Sequence, residues 1–315
     1  MQIQGFPIGV DNFYLRTIDP WSVSFQDLLV FTRISLDSFQ DNGLARYFRS
    51  ERYPMVLTTE NVNRIKHPIL RLNEYIGQAQ RFLHFNYSYA RYLHLMMLNS
   101  RGLVSALCER SDEGDETIVG LCCVSYPGYM RPSYGGINEV LFRAFTWWKR
   151  LVYKVQDWFS YSTSGGENPM DNSRIGGFLA DYNQLAFSAV GLPKPDLYRI
   201  MMPTMSSTEL RTAPYQKSDM VVIYSLVISP DYQSKGLGTR FLRTVLDQVP
   251  NVPIIFTSSD GEHKSVGPQK FYVNSSSVAR QVYTKCGFSV TYIYERLLQG
   301  YEADMTRMDM ARMLP

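Results

Sequence analysis

The sequence predicts an α/β protein in which helices flank a sheet, and three stretches carry that expectation. Val221–Ile228 (VVIYSLVI) is an apolar run rich in β-branched residues; it is closed by Pro230, which has no N–H for a sheet ladder. Gln233-Ser-Lys-Gly-Leu-Gly-Thr239 follows, and then Phe241, Leu242, Val245 and Leu246 at helical spacing, so the order is strand, glycine-rich turn, helix. Leu103–Cys108 and Thr117–Ser125 read as two strands of a hairpin around the acidic turn Asp112–Glu116. Pro68 to about Leu98 is strongly helical, with Gly77 a weak point and Gly102 as its stop.

The remaining elements fall between these. Residues 1–12 read as a loose arm and Phe13–Ile18 as a short strand ended by Asp19-Pro20. Ser24 is a suitable N-cap for a helix that turns Phe25, Leu28, Leu29, Phe31, Ile34 and Leu36 to one broad surface. Residues 44–66 have no clear period. Ile137–Phe159 reads as an amphipathic helix carrying Trp147, Trp148 and Trp158 beside Lys149, Arg150 and Lys154. Membrane-surface binding is one reading of it; packing over the core as a wall of the acceptor site is preferred. Ser160–Ser173 is loop-like, Phe178–Val190 helical, and Pro193-Lys-Pro195 a turn. Val252–Thr257 reads as a buried parallel-type strand, Ser277–Cys286 as a helix, and Phe288–Arg296 with Glu302–Met310 as a closing strand pair.

Composition narrows the function classes. At 45% apolar and 19% charged, the 315 residues suit a soluble globular chain with a sizeable core. A net charge of +3 with no long basic run argues against a nucleic-acid partner. Cys108, Cys122, Cys123 and Cys286 lack C-x-x-C spacing, and Cys122 and Cys123 would face opposite sides of a strand. Reduced thiols are expected rather than a disulfide frame or a zinc site. His84 and His94 lie ten residues apart, not at the spacing of a helical metal pair, so no metal is expected. The first residues lack the pattern of a signal peptide and no apolar run reaches a membrane span, which gives a cytoplasmic expectation.

The turn after Val221–Ile228 suits an anion, because free backbone N–H groups converge at a helix start and the helix dipole favours negative charge. Gly236 and Gly238 allow close backbone approach, while Lys235 and Arg240 add positive charge. It is neither a P-loop nor a Rossmann fingerprint, since position 241 is Phe where a third Gly would fall. Leu226-x-Ile228-x-Pro230-x-x-Gln233-x-x-Gly236-x-Gly238 resembles the acyl-CoA-binding signature of the GNAT superfamily of N-acetyltransferases, whose core is Q/R-x-x-G-x-G/A. Ser276-x-x-Ala279-x-x-x-Tyr283-x-x-x-Gly287-Phe288 is similar to the superfamily's second segment, at the right distance downstream.

That resemblance implies the GNAT fold: a mixed, mostly antiparallel sheet splayed between its fourth strand, Val221–Ile228, and its fifth, with flanking helices. It implies one domain over 1–315, with 127–219 an insertion before the fourth strand that shapes the acceptor site. The co-substrate implied is acetyl-CoA. Backbone groups of Leu226, Val227 and Ile228 would pair with the pantetheine arm, and one N–H would polarise the thioester carbonyl. Gln233, Ser234, Lys235, Gly236, Leu237, Gly238 and Thr239 would hold the pyrophosphate, Ser276 the pantetheine amide, and Tyr283 would protonate the leaving thiolate.

Positions 222, 224 and 226 are expected to share the acceptor-facing side of the fourth strand, yet Val222, Tyr224 and Leu226 offer no carboxylate or imidazole. Glu139, Asp181, Asp219, Glu262 and His263 are open candidates for the base, as is a water relay. The aromatic insertion favours a small-molecule amine as acceptor. A protein or peptide N-acetyltransferase and a non-catalytic CoA-binding module are the alternatives.

Overall fold

A computed structural model describes residues 5–39, 42, 63, 65–130, 135–163, 220–252, 254–257, 264–298 and 301–312. The expected helices at Phe178–Val190 and the turn at 193–195 lie outside them, as do Asp181, Asp219, Glu262 and His263. The strands are β1 (Phe6–Pro7), β2 (Phe13–Thr17), β3 (Val104–Arg110), β4 (Glu116–Ser125), β5 (Val221–Ile228), β6 (Ile254–Thr257), β7 (Lys264–Gly267), β8 (Gln269–Ser275), β9 (Ser289–Leu298) and β10 (Tyr301–Arg312). The helices are α1 (Phe25–Phe39), α2 (Pro68–Ser100), α3 (Gly136–Thr163), α4 (Leu237–Gln248) and the short α5 (Arg280–Thr284).

Eight strands form one sheet in the order β1-β2-β3-β4-β5-β8-β10-β9. Every pairing is antiparallel except β5 with β8. The fold is therefore a mixed, mostly antiparallel sheet between helices, the GNAT fold that the sequence implies. The parallel pairing runs only from Val221↔Phe271 to Ile223↔Val273, so among the described residues the last five of β5 have no sheet partner on that side. The sheet parts beside the fourth strand of the expectation, though its neighbour there is β8 and not Val252–Thr257.

Two apolar layers cover the sheet. On one face Leu237, Phe241, Leu242, Val245 and Leu246 of α4 and Tyr283 of α5 pack on Cys122, Val124, Ile223, Phe271 and Val273. On the other, Leu28, Phe31 and Ile34 of α1 and Ala90, Leu93 and Met97 of α2 pack on Ala106, Leu121, Cys123 and Val227. Cys122 and Cys123 thus face opposite layers, as the alternation requires, and all four thiols are free. Phe31, Phe241 and Phe271 are wholly buried, each contributing about 1.5–3 kcal/mol.

Four local expectations are revised. The α2 helix runs unbroken through Gly77, because a lone glycine costs only about 1 kcal/mol within a well-packed helix. Its reversal falls on Arg101 in the left-handed conformation (φ 45°), while Gly102 serves close packing: a Cβ there would lie 1.8 Å from the Val124 carbonyl oxygen. The strand beside β5 is not Val252–Thr257 but Gln269–Ser275; Ile254–Thr257 instead pairs with Lys264–Gly267 in a separate two-stranded sheet. A nearby hairpin partner costs less loop-closure entropy than joining the central sheet. The expected Ser277–Cys286 helix is helical only over Arg280–Thr284, with turns on both sides. Ser24 does cap α1, its hydroxyl accepting from the Asp27 N–H at 3.0 Å.

Candidate active site

β5 supplies the open edge. Ser229 N–H donates to Val119 O at 2.8 Å, so by the period of two the amide of Val227 faces β4, and those of Leu226 and Ile228 face the parted edge. Of the three backbone positions expected to pair with an added arm, two therefore point that way and Val227 does not. The Ile228 carbonyl is already held, accepting from Ser38 Oγ at 2.9 Å and from Gln233 Nε2 at 2.8 Å. Gln233 thus ties the turn to the strand it follows.

A bulge divides β5. The β4 register steps from Cys123↔Ser225 to Val124↔Ile223, so no β4 residue stands opposite Tyr224 in the ladder. Ile223 and Leu226 consequently lie toward the same apolar layer, and Val227 toward the other. The expectation that positions 222, 224 and 226 share one face is corrected: strict alternation fails at Tyr224, which stands 47% exposed. Tyr92 on α2 is within electrostatic reach of it, and the Tyr89 and Tyr92 rings lie 6.0 Å apart. Burial, then the Tyr224 phenol, pushes the Tyr92 phenol up. Tyr92 escaped the sequence reading because α2 lies more than 120 residues before β5 and shares no motif with it.

After β5 the chain makes a single 3-10 turn, Pro230–Tyr232, and reaches the glycine turn. Ser234 (φ 61°) and Gly236 (φ 75°) are left-handed, which turns the chain sharply into α4 with Gly236 as its N-cap. Among the described residues the backbone N–H groups of Lys235, Gly236, Leu237, Gly238 and Thr239 reach no acceptor. A Cβ on Gly236 would meet nothing within 4 Å, so the turn is open on its outer side. On Gly238 it would meet Ile228 and Val282 at 3.6 Å, the distance of ordinary packing between α4, β5 and α5.

The turn is braced from beneath. Tyr232 Oη donates to Glu109 at 2.6 Å, Lys235 Nζ donates to Asp231 O at 2.8 Å, and Arg240 donates to Gly9 O at 2.6 Å. Both cations are held by neutral carbonyls, so their charge stays at the turn. This arrangement, a helix start with unsatisfied donors and two positive charges, is fit to receive a phosphate.

Tyr283 is 4% exposed, edge-on to Phe288 with ring centroids 5.6 Å apart. Burial, followed by the Cys122 and Cys286 thiols, raises its phenol well above the ordinary value, so it is protonated at any working pH. Cys122 stands opposite Leu226 in the ladder, which places Tyr283 under the open edge. Among the described residues its hydroxyl has no hydrogen-bond partner. Ser276 lies at the C-terminal end of β8, its carbonyl accepting from Arg280 N–H at 3.2 Å. The Cys286 thiol points at Thr239 O at 3.6 Å, under α4.

Glu139 is a poor candidate for a base. Arg101 and then Arg143 hold its carboxyl down to about 2, with Arg101 Nη2 at 2.6 Å and Arg143 Nε at 2.8 Å. His84 and His94 are buried, and both are made less basic chiefly by burial. Among the described residues no group of three or more His, Cys, Asp or Glu side chains could hold a metal ion.

The family model for the acetyltransferase (GNAT) domain matches residues 212–311, about a third of the chain, which contain β5, the glycine turn, α4, β8, Tyr283 and the closing hairpin. No curated protein matches the sequence. Among solved structures, similarity is found to a histone acetyltransferase HPA2 and related acetyltransferase from Corynebacterium glutamicum ATCC 13032. That alignment has 12% identity over 93% of this chain and 95% of that one, with a TM-score of 0.38. A structure described as an acetyltransferase aligns at 10% identity over 94% and 98%, TM-score 0.33. An IAA acetyltransferase from Bacillus cereus ATCC 14579 aligns at 22% over 31% and 65%, TM-score 0.21. Scores this low single out no relative, so the assignment rests on the matched domain and its sheet. The segment that matches the GNAT acetyltransferase domain, residues 212–311, is built around the parted strands β5 and β8.

Proposed function

We propose that the protein is an acetyl-CoA-dependent N-acetyltransferase whose acceptor is a small-molecule amine. The observation that carries this reading is the continuity of an open strand edge with an open anion site. The amides of Leu226 and Ile228 face the gap between β5 and β8, and the unsatisfied N–H groups of Lys235–Thr239 begin a few residues later. Acetyl-CoA supplies an activated thioester; the chain's residues bind, orient and protonate. The turn Gln233–Thr239 would hold the pyrophosphate through backbone N–H groups, helped by the Thr239 hydroxyl and the charges of Lys235 and Arg240. Leu226 and Ile228 would extend the sheet onto the pantetheine arm, with one N–H polarising the thioester carbonyl. Ser276 would bond the pantetheine amide. Tyr283, kept protonated by burial and without an internal acceptor, would donate its proton to the departing sulfur.

The small-molecule acceptor is supported by the tyrosines beside the bulge, Tyr224 and Tyr92, which offer phenols and ring faces. A groove for a basic peptide would instead be lined by carboxylates. We place the described part of the 127–219 insertion within the same domain, since α3 packs against α2. The fixed ion pairs of Glu139 favour a second reading, a CoA-binding module without turnover, because they remove a candidate base.

Calorimetric titration with acetyl-CoA and CoA, on wild type and on Gly236→Asp/Gly238→Asp, tests the cofactor site. Binding by wild type that is lost in the variant supports it, since the carboxylates put bulk and negative charge where the phosphates would lie. No binding by folded wild type would reduce the glycine turn to a structural element. Thiol release from acetyl-CoA across a panel of amines then separates enzyme from module.

A further inference from the structure

The α3 helix is packed with its polar side inward. Its polar contacts with α2 and the C-cap of that helix include Arg101 to Glu139, Arg91 to Asp157 at 2.5 Å, His94 Nδ1 to Tyr153 Oη at 2.5 Å, and Arg150 to Asn99. The side turned out carries Ile137, Val140, Leu141, Trp147, Trp148, Leu151, Val155, Trp158 and Phe159, each more than 40% exposed. At 100° per residue these positions fall in one stripe about 120° wide and about 33 Å long. Three of the chain's four tryptophans lie on it. The fourth, Trp21, stacks on Phe145 at 5.7 Å.

Charge around the stripe is one-sided. Both acids of α3 are spent on arginines: Glu139 on Arg101 and Arg143, Asp157 on Arg91. Arg143, Arg150 and Lys154 recur at i, i+7 and i+11 along the border beside Val140, Trp147 and Trp158. Among the described residues Arg150 and Lys154 have no carboxylate partner. Indole rings prefer the boundary between hydrocarbon and water, and a cationic border complements anionic headgroups. None of the described helices is long and apolar enough to cross a membrane, so the fit is to its surface.

We propose that the outer face of α3 docks the protein on an anionic membrane surface, Trp147 and Trp148 entering the headgroup boundary and Arg150 and Lys154 meeting lipid phosphates or carboxylates. The α2–α3 ion pairs fix the helix so that this face is presented outward.

Co-sedimentation of the full chain with phosphatidylcholine vesicles, with and without phosphatidylserine, tests this alongside tryptophan emission. The expected result is binding and a blue shift only with phosphatidylserine. Trp147→Ser/Trp148→Ser abolishes co-sedimentation while circular dichroism is unchanged. Arg150→Gln and Lys154→Gln each weaken it about fivefold. No binding by folded wild type, or equal binding to pure phosphatidylcholine, overturns the proposal. So does a lipid-free dimer that the serine variant dissolves, since the stripe would then join two copies. Protection of three or more tryptophans from acrylamide in lipid-free monomer also overturns it, because the chain itself would cover the stripe.

Discussion

On one side of the sheet, α4 turns Leu237, Phe241, Leu242, Val245 and Leu246 inward and leaves its polar side to solvent. On the other, the α2–α3 pair meets through Arg91–Asp157, Arg101–Glu139 and His94–Tyr153, and α3 keeps its apolar side outward. The α4 helix follows the ordinary rule that burial of an apolar stripe supplies helix stability. The α3 helix departs from that rule: it buries Phe142 and Tyr153, but the rest of its seat is a few directional contacts. Two helices of similar amphipathic pattern can therefore take opposite orientations, and the sequence period gives the stripe without saying which way it points.

Where α2 ends, Gly102→Ala tests the joint between the two regions. The 1.8 Å approach of its Cβ to backbone cannot be relieved by a rotamer change, so a loss of about 3 kcal/mol or more is expected in urea unfolding. An unchanged midpoint would mean that α2 and β4 are not joined this closely.

Within the apolar half, Tyr283→Phe separates chemistry from packing. The ring stays against Phe288, and only a hydroxyl without an internal partner is removed. A fall in kcat of about a hundredfold with CoA affinity unchanged is expected. Equal loss of kcat and affinity, or none of either, would remove Tyr283 from the acid role.

Within the polar half, Asp157→Asn leaves Arg91 largely buried beside a neutral amide. Because Asp157 is half exposed, the expected loss is modest, about 1 kcal/mol in chemical unfolding. A variant as stable as wild type would show that the apolar contacts of α2 carry that face alone.

The smallest effect is a pH dependence. His94 Nε2 faces Pro20 O at 2.9 Å and must carry the proton, so Nδ1 accepts from Tyr153. Burial lowers the folded-state affinity of this imidazole for a second proton below its ordinary value of 6.5, and Lys149 lowers it further against the Pro20 carbonyl. Its contribution is complete above that value and is lost as pH falls through the depressed folded value. The buried His84, shifted the same way, acts in the same window. Glu139, held at about 2 from 4.5, adds a separate loss only between those values. His94→Gln should flatten the Tm profile below pH 6.5, and an unaltered slope would assign that window to His84.

The α4 half was legible because its signals are local. Strand, glycine turn and helix follow within thirty residues, and each apolar position repeats at the period of its element. Three features were not. Gln269–Ser275 has its Phe271-Tyr-Val273 run but no turn residues that declare its partner, and only topology sets it beside β5. The bulge at Tyr224 leaves no mark in a continuous run of β-formers, since any of those residues tolerates the extra place. The orientation of α3 depends on arginines at the C-cap and within α2, lying 38 and 66 residues away, beyond the reach of any periodicity.

The bulge residue in β5 also acts as a phase change within one strand. Upstream, β8 fixes the pleat through Val221–Ile223; downstream, β4 fixes it through Ser225–Ile228, one residue out of step. In a substitution scan the strand should read as two, with tolerant and intolerant positions exchanging parity at Tyr224. Were Tyr224 instead taken into the ladder while β8 holds the upstream half, every later residue would move by one place and the Val227 amide would turn to the gap in place of Leu226 and Ile228. A residue valued for its place in the count, rather than for its side chain, would thus decide which backbone groups a ligand finds.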